Sequence, residues 1–141
     1  MWHQNFADRL AAWHQLRADA ADLDLPSALV KINSWWLTTP WHPYYLHWDD
    51  RNEWPDPWQL LDDNIYCGLA RGLGIMYTIA MLDREDMKDA SLFEAGSDNL
   101  VQVSQEKYIL NWDSETIVNI SPGAKNSKRQ IALREVEQII K

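Results

Sequence analysis

The chain has 141 residues, 46% of them apolar, with 21 acidic against 13 basic side chains and a formal charge of −8. That is enough apolar material for one buried core, which excludes a disordered tail, and the acidic balance excludes nucleic acid as an expected partner. Cys67 is the single cysteine, which excludes an intrachain disulfide and suits a reducing compartment.

The first five residues, Met1 to Asn5, show no basic region followed by an apolar one, so no secretory signal is expected. The longest apolar stretch, Ile75 to Leu82, is too short to span a bilayer, and no membrane partner is expected. No repeat or low-complexity linker divides the chain. The reading is one domain over 1–141, with a helical and aromatic part over 1–54, a core over 55–120 and a loop and helix over 121–141.

The first half reads as helices. Phe6, Leu10, Trp13 and Leu16 recur at helical spacing, with Asp8, Arg9 and Arg17 among the polar positions. Asp24 is a cap for a second helix with Pro26 in its first turn, burying Leu29, Ile32 and Trp36 and ending by Pro40. From Trp41 to Trp58 the chain is dense in aromatics and prolines without a period. That segment predicts an ordered loop, and Trp41, Trp48, Trp54 and Trp58 are its candidate partner-binding residues. His42, His47, Asp49 and Asp50 are metal-ligand types, but their spacing matches no zinc pattern, and neither a metal nor another cofactor is expected.

Asp56-Pro57-Trp58-Gln59 is a helix start, with a capping carboxylate, Pro at the first position and Gln three residues after the cap. This helix carries Leu60, Leu61, Ile65, Leu69 and Leu73 inward, with a break near Asp62-Asp63-Asn64 and a stop at Gly74. The continuous run Ile75 to Leu82 then predicts a buried strand. Ser91 to Ala95, Leu100 to Ser104, Tyr108 to Trp112 and Thr116 to Ile120 predict short antiparallel strands, with tight connections at Gln105-Glu106-Lys107 and Asp113-Ser114-Glu115. A polar loop, Pro122 to Lys128, leads to a final helix burying Val136, Ile139 and Ile140. The fold class is α+β, with helices, one bearing the cysteine, packed on an antiparallel sheet of about four or five strands.

A cysteine nucleophile needs a lowered pKa, from a helix amino terminus or a nearby histidine, and a third group to orient that histidine. Tyr66-Cys67-Gly68-Leu69-Ala70-Arg71-Gly72-Leu73-Gly74-Ile75 resembles the nucleophile helix of the transglutaminase-like (papain-like) superfamily. In that resemblance the place of the histidine falls on Asn99 and that of the aspartate on Asp113. All four histidines, His3, His14, His42 and His47, precede Cys67. An asparagine amide cannot take a proton as imidazole does. The resemblance therefore implies a degenerate core in which Cys67, Asn99 and Asp113 are vestigial and no catalytic residue is expected.

Trp54 to Trp58, Cys67 to Ile75 and Tyr108 to Asp113 also resemble small uncharacterised proteins of large tailed bacteriophages. That likeness implies a non-enzymatic structural protein of the virion, made in the host cytoplasm and docking on other phage proteins in the neck, tail or baseplate. Two alternatives stand beside it. One is a cysteine-dependent hydrolase or transamidase using Cys67 and Asp113, with a base supplied unconventionally, for instance by His47. The other is a soluble phage factor that binds a host protein.

Overall fold

The computed structural model describes residues 2–43, 45–104, 107–112 and 129–140. Two helices open the chain, α1 (Phe6–Ala21) and α2 (Leu25–Leu37). Asn5 caps α1 by accepting from the Asp8 amide at 2.9 Å, and Asp24 caps α2 through the Ser27 amide. Both use a short side-chain acceptor to satisfy an amide that has no helical partner. Arg9, read among the polar positions of α1, is buried instead. Its guanidinium donates to the Leu61 carbonyl at 2.7 Å and the His3 carbonyl at 3.1 Å, which supplies partners in place of water.

A 3-10 segment (Trp48–Glu53) precedes α3 (Pro57–Asp63) and α4 (Gly68–Leu82). The expected break is present. Asn64 closes α3 in the left-handed conformation, and Cys67 caps a new helix. The helix does not stop at Gly74, and Ile75 to Leu82 is not a strand; it is the second half of α4. A continuous apolar run fits a buried helix as well as a buried strand, and α4 is enclosed by α1, α2, α3, the later helix Leu133–Ile140 and the strands Ser91–Ala95 and Asp98–Val103. Gly74 serves packing: a Cβ there would lie 2.4 Å from the Trp36 ring. Asp83, at φ 53°, ends α4.

After a second 3-10 turn (Glu85–Met87) come β1 (Ser91–Ala95), β2 (Asp98–Val103), β3 (Tyr108–Leu110), β4 (Gln130–Ala132) and α5 (Leu133–Ile140). The four strands form one antiparallel sheet in the order β3-β2-β1-β4, with Glu94 opposite Asn99 and Val101 opposite Leu110. Period-two alternation sends Leu92, Val101, Val103 and Leu110 into the main core, and Phe93, Leu100 and Ile109 to a smaller cluster. The architecture is α+β, helices on an antiparallel sheet. The predicted strand Thr116–Ile120, the loop Pro122–Lys128, the Gln105-Glu106 part of one turn and Asp113-Ser114-Glu115 lie outside the described residues.

Candidate functional site

The site forms where the start of α4 meets β2. Cys67 is the N-cap of α4; its Sγ is buried and accepts from the Ala70 amide at 3.4 Å, its one hydrogen-bond partner among the described residues. Extended backbone at Cys67 is what lets a side-chain atom reach back to a first-turn amide. The preceding residue, Tyr66, is fixed by a parallel bridge to Trp41 and accepts from the His42 amide at 2.8 Å.

Asn99 stands beside that helix start. A Cβ built on Gly68 would lie 3.2 Å from its Nδ2, so only glycine admits this approach without displacement. The Trp48 indole donates to Asn99 Oδ1 at 2.8 Å. Indole is a donor only, so this bond fixes the orientation of the amide, with Nδ2 facing α4.

Asn111 joins the two elements. Its Nδ2 donates to the Gly68 carbonyl at 2.9 Å and to the Asn99 carbonyl at 2.7 Å, and its amide donates to Asn33 Oδ1 at 2.9 Å. Asn111 adopts φ 65°, a conformation that asparagine tolerates better than most residues. Sequence reasoning passed over it. The signal was an asparagine at the end of a short strand, a frequent left-handed position. Gly72 completes the close approach, since a Cβ there would lie 2.6 Å from Leu92 Cδ1.

The cleft above this junction has two lobes that share Trp41, Gly68, Ser97 and Asn99. One, about 430 Å³, adds Cys67, His47, Trp48 and Asp49; the other, about 340 Å³, adds Arg71 and Asn111. Arg129 straps the rim, 3.4 Å from Asp49 and 3.3 Å from Glu94. Arg51 ties the 3-10 segment to the Gln130 carbonyl at 2.6 Å and to Glu135 at 3.3 Å. Burial and a hydrogen bond to Asp63 raise the Tyr45 phenol well above its ordinary range, so it stays a neutral donor that ties the loop to α3.

The structure divides the four tryptophans of the aromatic segment. Trp48 and Trp54 are buried, packed edge to face at 5.4 Å, with the Trp54 indole on the His47 carbonyl at 2.9 Å. Their place as surface contacts is corrected: the 3-10 segment folds both rings under itself. Trp41 and Trp58 remain exposed, and so does Trp112, which the sequence reading did not single out.

Cys67, Asn99 and His47 thus share one cleft, while Asp113 lies outside the described residues. Among the described residues, no three His, Cys, Asp or Glu side chains converge as metal ligands; Asp49 faces Arg129 instead. The chain matches no family model, no curated protein and no solved structure.

Proposed function

We propose that this chain is a non-enzymatic docking protein of a tailed-phage particle, built on a transglutaminase-like core without its base. The observation that carries the inert reading is the Trp48–Asn99 hydrogen bond. At the position matched to the family's histidine stands an amide with no proton affinity at neutral pH, and an indole holds its oxygen. Cys67 Sγ meets a backbone amide instead of an imidazole.

The exposed rings of Trp58 and Trp41 supply contact area of the kind enriched at protein interfaces. The net charge of −8 favours a basic partner surface. The phage setting rests on the resemblance of Trp54–Trp58, Cys67–Ile75 and Tyr108–Asp113.

A mass-spectrometric inventory of purified virions tests the placement. The chain is expected at a fixed copy number in intact particles, and its absence from them would overturn a structural role. A second reading, a thiol hydrolase or transamidase, draws on His47 sharing the cleft with Cys67. Rapid alkylation of Cys67 that His47→Ala slows would favour it.

A further inference from the structure

Trp41 is the most exposed large apolar side chain among the described residues, at 59%, yet it is firmly held. Its backbone bridges to Tyr66, and the Arg71 guanidinium lies 5.0 Å from its ring centroid. Arg71 is itself fixed by Thr39, through Oγ1 at 2.8 Å and the carbonyl at 2.7 Å. A ring immobilised before any ligand arrives loses little freedom on binding one. Trp41 lines both lobes, and Arg71 lines the smaller one only.

We propose that the larger lobe binds an uncharged pyranose unit of a glycan, stacked on Trp41. A pyranose has a face of weakly positive C–H groups and a rim of hydroxyls. The face suits the negative face of an indole ring. The rim suits Asn99 Nδ2, which makes no hydrogen bond among the described residues, the Ser97 hydroxyl, and the outer edge of the Asp49 and Glu94 carboxylates that Arg129 bridges. One aromatic platform set in a predominantly polar lining, in about 430 Å³, suits a ligand with one C–H face and many hydroxyls. Asp49 and Glu94, ion-paired to Arg129 on the same rim, leave the lobe one net negative charge, and with the chain's −8 this disfavours an acidic sugar or a nucleic-acid base on its phosphate chain. The second lobe shares Trp41, Gly68, Ser97 and Asn99 with the first, so it is the neighbouring space for a linked sugar.

This goes beyond the docking role, which the virion inventory reads separately and which an empty cleft would leave standing. The test is a glycan array carrying neutral and sialylated glycans, followed by calorimetric titration of the strongest neutral glycan. Neutral glycans are expected to bind. Trp41→Ala is expected to weaken binding roughly tenfold or more, and Trp58→Ala to leave it unchanged. Nitrogen-15 NMR of the unmutated chain gives a check that needs no variant: the Trp41 indole signal shifts on titration and that of Trp58 does not. Binding of no neutral glycan, or of sialylated glycans only, would overturn the proposal. So would a shift confined to other tryptophans.

Discussion

The indole of Trp48 donates to Asn99 Oδ1 at 2.8 Å, joining the aromatic segment to β2 at the point where α4 begins. Both ends gain: the buried ring finds an acceptor, and the amide acquires one orientation. Asn99→Leu leaves that indole N–H without a partner, and chemical denaturation should show a loss of about 1–2 kcal/mol. Asn99→Asp keeps an acceptor and should cost less.

A second buried node lies in the core. Thr78 Oγ1 accepts from the Trp13 indole and the Trp36 indole, each at 2.9 Å, and donates to the Gly74 carbonyl at 2.8 Å. One hydroxyl thus satisfies α1 and α2 from the middle of α4. Thr78→Val preserves shape but leaves two buried donors unpaired, at about 1–3 kcal/mol each. Urea unfolding should show a loss of roughly 2–6 kcal/mol, while Thr78→Ser retains most of the stability.

Gly74 marks the limit of what the sequence disclosed. Read alone, a glycine before an apolar run ends a helix and starts a strand. In the fold it removes a side chain so that Trp36 can lie against α4. Nothing local separates these meanings, because the deciding atom belongs to a residue 38 positions earlier. The caps at Asp24 and Asp56 and the strands at Ser91 and Leu100 were legible because their causes are local: a carboxylate beside an unpaired amide, and period-two alternation. In the site, Cys67 and Asn99 were named from a pattern, whereas Asn111 and the Trp48 bond depend on tertiary contacts. Gly74→Ala tests the packing reading. A methyl in van der Waals conflict with an indole should cost about 1–3 kcal/mol, although alanine is the better helix former.

Asp24 gives a pH dependence. Hydrogen bonds from the Ser27 side chain and then its amide hold this carboxyl below its ordinary value of 3.8. Folded Asp24 binds its proton less tightly than unfolded Asp24, so its stabilisation is full above that value and lost as pH falls through the lower folded one. Thermal melts of Asp24→Ala should show a lower midpoint than the parent at pH 7. The difference should narrow as pH falls below 3.8, and a difference that did not change with pH would mean that the charge is not the source.

Trp54 and Trp58 sit four residues apart with opposite exposures, 6% and 39%. Trp54→Ala empties a packed site and should cost about 3–5 kcal/mol of folding stability. Trp58→Ala should change stability by about 0.5 kcal/mol or less, yet, on the docking role proposed above, weaken binding to the virion by about 2 kcal/mol. Denaturation of the isolated chain and incorporation into particles lacking it separate the two effects. Equal stability losses would remove Trp58 as a contact residue.

Placing a histidine at position 99 tests the inert reading, and Trp48 makes the expected outcome specific. In a working triad the third group accepts from one imidazole nitrogen, which leaves a lone pair on the other to take the thiol proton. Trp48 can only donate. Facing Asn99→His, it would draw the imidazole lone pair to itself and turn the N–H towards Cys67, the wrong tautomer for a base. Asn99→His alone should therefore leave iodoacetamide labelling of Cys67 slow at pH 7. Adding Trp48→Phe keeps a ring in place, removes the donor and frees the other tautomer. Labelling should then rise about tenfold or more, with a titration midpoint below the free-cysteine value of about 8.5. A single variant as fast as the double would show that Trp48 does not set the tautomer. No gain in either, with native circular dichroism in both, would mean that α4 and β2 do not hold a nucleophile and a base in register, and the transglutaminase-like reading would fall.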